Sequence, residues 1–177
     1  MILLDTHVVP EPLCQAPAPQ VIARLDAQAL GALFLSAITV AELQAGIALL
    51  PPGRRRSGLQ DNLEQRVLPL FAGRVLAFDP ACNQPYAELM AQARRAGLAI
   101  STADGCIAAI AAAHGLAVAT RDTRPFEAAG VGVINPWTCR PVALLSACRI
   151  AAPGQARRDT KFKAAPPAQP QAPCRAP

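Results

Sequence analysis

The sequence predicts an α/β domain built on a parallel sheet, and three observations carry the prediction. Short apolar runs of strand length alternate with longer stretches whose apolar residues recur at helical spacing, which implies strands joined by helical crossovers. The 177 residues are 52% hydrophobic and 16% charged, enough for one domain with a full core. Finally, acids stand just past two of the strand-like runs, where open parallel sheets bind their ligands.

The elements follow in chain order. Ile2-Leu3-Leu4 is a continuous apolar run and reads as a buried first strand, with Asp5 at its carboxyl end. Pro10, Pro12, Pro17 and Pro19 punctuate a loop or broken helix. Residues 20–28 then carry a helical stripe of Val21, Ile22 and Leu25, and residues 33–35 form a short strand. From Ser36 to Leu50 a helix is predicted, opened by Ser36 or Thr39 and stopped by Pro51-Pro52. Arg54-Arg55-Arg56 opens a second helical stretch through Leu70, whose alternating charges suit a solvated face. Residues 75–78 are strand-like. Residues 80–95 are helical, with Tyr86, Leu89 and Met90 as the core side and Gly97 as the stop. In ISTADGCIAAIAAAHGLAVATRD (100–122), Ser101 and Thr102 are helix-start residues and Asp104 stands three after Ser101, as in a capping box. Ile107, Ile110, Ala111 and His114 keep helical spacing, Gly115 ends the helix, and residues 116–120 form a strand with Asp122 two residues beyond. A turn containing Phe126 leads to a last strand over 131–134.

Charge is unevenly distributed. From Arg140 to Pro177 there are seven Lys or Arg and one Asp, so that segment carries +6 against a total of +5 and residues 1–139 are left near −1. The high pI therefore describes a tail and gives no ground for a nucleic-acid-binding surface on the domain. The tail, 140–177, is rich in Ala, Pro and Gln, and this composition predicts disorder. The six cysteines include no C-x-x-C pair, which argues against a zinc site. MILLD has no basic n-region, and the longest near-apolar run, 107–119, is broken by His114 and Gly115 and is too short to span a bilayer. The expectation is a cytoplasmic protein with reduced thiols.

Four acids can meet at the carboxyl edge of such a sheet. Asp5 ends the first strand, Asp122 follows the fourth, and Asp104 opens the helix leading into it. Glu42 is the one charge within the otherwise nearly all apolar stretch 38–50, with Ala41, Ala45 and Gly46 around it. Carboxylates crowded together repel unless a divalent cation neutralises them, and hard oxygen ligands favour Mg²⁺ or Mn²⁺ over Zn²⁺. An all-oxygen site of this kind suits phosphodiester hydrolysis.

The motifs LLDT (3–6), SAITVAEL (36–43), ISTADG (100–105), AIAAAHGLAVATRD (109–122) and INPW (134–137) together resemble a PIN-domain ribonuclease of the VapC or FitB type, the toxin half of bacterial toxin–antitoxin pairs. The resemblance covers nearly all of residues 1–139. It implies a PIN-like α/β fold with a central parallel sheet of four or five strands, and an endoribonuclease dependent on Mg²⁺ or Mn²⁺ that cuts single-stranded regions of structured RNA. It also implies a homodimer, and a small antitoxin whose peptide lies over the crevice with a basic side chain reaching the carboxylates. Carried over by motif, Asp5 and Asp104 are direct metal ligands, Asp122 completes the shell directly or through water, and Glu42 orients the attacking water or holds a second metal. Thr6, Ser101 and Thr120 fix carboxylate rotamers, and Arg121 meets substrate phosphate. Two positions depart from the pattern: His7 stands where the family commonly has Asn, and Pro125 where it commonly has Asp. Those departures motivate the alternative of a weakened or silent PIN-fold protein that binds antitoxin or nucleic acid without cutting it.

Overall fold

A computed structural model describes residues 1–14 and 16–138; the predicted tail, 140–177, lies outside the described residues. Among these residues five strands form one parallel sheet: β1 (Ile2–Leu4), β2 (Leu33–Ser36), β3 (Val75–Leu76), β4 (Ala117–Ala119) and β5 (Val133–Ile134), in the order β3-β2-β1-β4-β5. β1 is central, with Leu3 opposite Phe34 on one side and Val118 on the other. Among the described residues six α-helices cover the sheet: α1 (Pro19–Asp26), α2 (Ala37–Ala48), α3 (Arg54–Asn62), α4 (Asn83–Arg95), α5 (Thr102–Ala113) and α6 (Arg124–Ala128).

Neighbouring residues on β1 feed two separate cores, because successive side chains of a strand point to opposite faces. Leu3 packs with Phe34, Val118, Leu89, Phe126 and the buried face of α5 from Ile107 to Ala111. Leu4 packs on the other face with Leu33, Leu35, Val21, Leu25, Leu63, Val67 and Phe71. Phe71 and Phe126 are each 1% exposed, and burial of a side chain of that size contributes about 2–3 kcal/mol. A strand buried on both faces has no polar alternation, which is why Ile2-Leu3-Leu4 reads as a continuous apolar run.

Two helices that position functional residues start and stop as their sequences dictate. Ser36 and Ser101 are the N-caps of α2 and α5, their hydroxyls accepting from the backbone N–H of Thr39 and of Asp104. α5 ends at Gly115, whose φ of +62° suits a residue without a Cβ. The Leu116 N–H then donates to Ala111 O and the Gly115 N–H to Ala112 O, closing the helix and turning the chain into β4.

The observed elements differ from the expected ones at three places. The helical stretch from Arg54 is not uniform: α3 ends at Asn62, a π-type turn spans Leu63–Val67 and a 3-10 turn spans Leu68–Phe71. Pro69 has no N–H to close a regular turn, and the wide turn places Leu63, Val67 and Phe71 together in the core. The turn around Phe126 is a helix, α6, with Pro125 in its first turn, where a missing N–H is tolerated. The edge strands β3 and β5 have two residues each, shorter than the expected 75–78 and 131–134.

Candidate functional site

The carboxyl edge of the sheet is a row of polar residues set directly on the core. Asp5 follows β1 and is only 3% exposed, while Ser36, Thr39 and Thr120 are fully buried beside it. Continued strand pairing holds this row: the Asp5 N–H donates to Ala119 O (3.0 Å) and the Thr120 N–H to Ile134 O (3.0 Å). A buried carboxylate needs donors, because burial without them is costly. Asp5 has two. Thr120 Oγ1 donates to its Oδ2 at 2.7 Å, and His7 Nδ1 lies 2.9 Å from the same oxygen. An ionised carboxylate only accepts, so Nδ1 carries the proton in that contact and fixes the tautomer of a neutral ring, with Nε2 as its acceptor. The Thr120 hydroxyl also lies 3.4 Å from Asp122 O; its single proton goes to the nearer, charged partner.

The other two acids come from helices. β4 must run back against α5 after the tight turn at Gly115, so the first turn of α5, with Asp104, lies toward the carboxyl edge. Ser101 Oγ donates to Asp104 Oδ2 at 2.7 Å while accepting from the Asp104 N–H at 3.0 Å. Close packing fixes that turn in place: a Cβ on Gly105 would lie 3.0 Å from Met90 Sδ and 3.1 Å from Tyr86 Cε2 of α4. Tyr86 in turn meets Phe78 edge-on, with ring centroids 5.8 Å apart. Glu42, on α2, accepts from Thr6 Oγ1 at 2.5 Å. α2 packs on α5, so Glu42 and Asp104 belong to neighbouring helices.

Asp122 and Arg121 are exposed just past β4. The Arg121 guanidinium lies over the Trp137 ring, 5.6 Å from its centroid, and the Arg121 carbonyl accepts from Asn135 Nδ2 at 3.3 Å. His7, Arg121, Asp122, Thr123 and Arg124 line a cavity of about 470 Å³ at this end of the edge. Sequence reasoning missed Thr123, Arg124, Asn135 and Trp137 as members of the site. The run TRDTR (120–124) was visible as a polar cluster just past a strand, but nothing local ties it to Trp137.

The donor set of Asp5, Glu42, Asp104 and Asp122 is all oxygen, which fits a hard divalent cation in kind. Their present arrangement is looser: among the described residues, no three His, Cys, Asp or Glu side chains are grouped closely enough to hold a metal ion. Thiol chemistry has little support, since burial pushes the Cys82 and Cys106 thiols up from their ordinary range and keeps them poor nucleophiles.

The family model of the PIN domain matches residues 2–131, which include all four acids. The chain belongs to the PIN-domain family. It is 61% identical over 137 residues to the plasmid stability protein StbB of Pseudomonas syringae pv. tomato, an alignment covering 77% of this chain and 99% of that protein. It is 56% identical over 137 residues to the VapC ribonuclease Y4jK of Sinorhizobium fredii (77% and 98% covered). To the toxin FitB of Neisseria gonorrhoeae it is 53% identical over 137 residues (77% and 99% covered). The crystal structure of FitAcB from Neisseria gonorrhoeae superposes with a TM-score of 0.74 at 52% identity, covering 77% of this chain and 99% of that one. The expected parallel sheet flanked by helices is present, with five strands among the described residues. No helix among the described residues is long and apolar enough to cross a membrane.

Proposed function

We propose that this chain is an Mg²⁺- or Mn²⁺-dependent endoribonuclease that acts as the toxin of a toxin–antitoxin pair in the cytoplasm, as a homodimer restrained by a cognate antitoxin. The observation that carries the reading is the buried Asp5 carboxylate at the sheet edge, held by Thr120 and His7. It sits in a PIN domain 56% identical to a VapC ribonuclease and 53% identical to the toxin FitB.

Each residue has its own task. Asp5, Asp104 and Asp122 are the metal-holding carboxylates, and Glu42 orients the attacking water. When bound, the cation supplies charge neutralisation and a more acidic water. Thr120 holds Asp5 in one rotamer, Ser101 does the same for Asp104, and Thr6 for Glu42, because a ligand carboxylate performs best when its orientation is fixed by hydrogen bonds. Asp122 and Glu42 are exposed, so their side chains can turn toward Asp5 without disturbing the core. The same crowd of negative charge explains why an antitoxin would use a basic side chain, Arg above all, to cover the edge.

The test is cleavage of a structured RNA by the full chain with Mg²⁺ or Mn²⁺, compared with Asp5→Asn and Asp104→Asn. Products with 5′-phosphate ends are expected from the wild type and none from either variant. Cleavage that persists in both variants would sink the assignment. A second reading, a PIN-fold protein that binds antitoxin or nucleic acid without cutting, has one observation in its favour: the His7 imidazole already engages the Asp5 carboxylate. It predicts tight partner binding with no metal-dependent turnover, and turnover by the wild type removes it.

A further inference from the structure

The cavity beyond β4 has a chemistry distinct from the acids that border it. Arg121, Thr123 and Arg124, three residues with donor-bearing side chains, line it together with His7 and Asp122 of the carboxylate edge. Neither Arg121 nor Arg124 forms an ion pair among the described residues, although acids stand close by in the chain. Arg121 is also held in place. Its guanidinium rests on Trp137, and its backbone is fixed through Asn135; Trp137 itself packs against the core that contains Leu4 and Phe71. A guanidinium supported on an aromatic ring loses less freedom when it binds than one that is loose in solvent.

We propose that this cavity is a phosphate subsite for RNA, in which Arg121 and Arg124 each grip one backbone phosphate next to the one presented to the carboxylates. The Thr123 hydroxyl adds a further donor. This proposal rests on the ribonuclease reading and deepens it. A polyanion approaching four carboxylates is repelled by them, and the domain as a whole is near neutral, so attraction must come from a local group of cations. Guanidinium forks match phosphate oxygens two at a time, which suits this task better than a point charge does. At about 470 Å³ the cavity lies within the range of roughly 300–1,000 Å³ usual for ligand pockets. Its position decides the ligand class: a group that borders both Asp122 and His7 serves the same strand of substrate that reaches Asp5.

The test measures binding apart from cleavage. The full chain, in EDTA, is titrated against a fluorescent single-stranded oligoribonucleotide over a range of KCl concentrations. Each cation withdrawn from a single-strand phosphate lowers the slope of log K against log salt by about 0.7, so Arg121→Gln with Arg124→Gln is expected to lower it by about 1.4. Between 1 M and 0.1 M salt the wild type then gains about 25-fold more affinity than the double variant. Arg124→Gln alone is expected to lower the slope by about 0.7, and Arg124 is exposed, so this variant guards against a folding artefact. Unchanged slopes in both variants, or no RNA binding by the wild type, overturn the subsite. Cleavage at the wild-type rate alongside unchanged binding overturns the subsite and leaves the ribonuclease reading standing. RNA binding that depends on these arginines, with no cleavage in Mg²⁺ or Mn²⁺, supports the subsite and sinks the ribonuclease reading.

Discussion

On one side of the carboxyl edge, Asp5 is carried by the central strand, is 3% exposed, and receives its hydrogen bonds from Thr120 and His7. On the other side, Asp104 and Glu42 are carried by helices and each is held by a single hydroxyl, Ser101 for one and Thr6 for the other. The first acid is fixed by the same contacts that build the sheet. The second pair is fixed by side-chain contacts exposed to solvent. If this contrast is correct, the three hydroxyls should differ in a graded way: removing one should damage stability in proportion to burial, while the effect on the chemistry should not follow that order.

The largest effect is expected at Thr120. Its hydroxyl is fully buried and donates to an ionised group. Thr120→Val keeps the shape and removes the donor, leaving part of the Asp5 charge without its partner. A loss of about 2–3 kcal/mol is expected, since hydrogen bonds to charged groups contribute about 1.5–3 kcal/mol and a buried acceptor left alone adds its own penalty. Urea unfolding midpoints measure it, and Thr120→Ser should recover most of the loss. A Val variant as stable as the wild type would show that Asp5 is not held by this bond.

The same gradation explains what the sequence could and could not disclose. Ile2-Leu3-Leu4 announces a buried strand because both of its faces are covered, and Ser36 and Ser101 announce helix starts because capping is local chemistry. The acids at strand ends were legible for the same reason. The pairing of Thr120 with Asp5 spans 115 residues of chain, and it depends on β4 lying beside β1, an order that no local periodicity encodes. The Arg121–Trp137 stack depends on the neighbouring pair, β4 with β5. α6 escaped detection because five residues hold too little of a helical period to be told from a turn, and Phe126 alone marks its buried side. Beyond α3, alternating charges mark a helical stretch through Leu70, but the backbone accommodates Pro69 through a wide turn that charge pattern alone cannot foresee.

A middle-sized effect is expected at Ser101, where the cap and the carboxylate can be separated. Ser101→Ala removes both the acceptor for the Asp104 N–H and the donor to Asp104 Oδ2, and loss of an N-cap costs about 1 kcal/mol. Ser101→Asp restores a cap of similar strength but offers no proton to Asp104 and adds a like charge beside it. Stability should therefore return in the Asp variant while RNA cleavage stays low. Recovery of both together would mean that Ser101 acts through the helix and not through the Asp104 side chain.

The smallest effect on stability, and the sharpest separation of stability from chemistry, is expected at Thr6. Its bond to Glu42 is solvent-exposed, and surface substitutions usually change stability by less than about 0.5 kcal/mol. Thr6→Val should unfold at nearly the wild-type midpoint. Glu42, however, would be without the hydrogen bond that orients it, and removing a group that supports a functional carboxylate typically lowers metal affinity or activity by about 10-fold or more. Cleavage rate at saturating RNA, measured beside the urea midpoint, distinguishes the possibilities. A slow and stable Thr6→Val, rescued by Thr6→Ser, would place Glu42 in the chemistry despite its exposure. A fast and stable variant would return Glu42 to the ordinary surface of α2, leaving the site to the three aspartates.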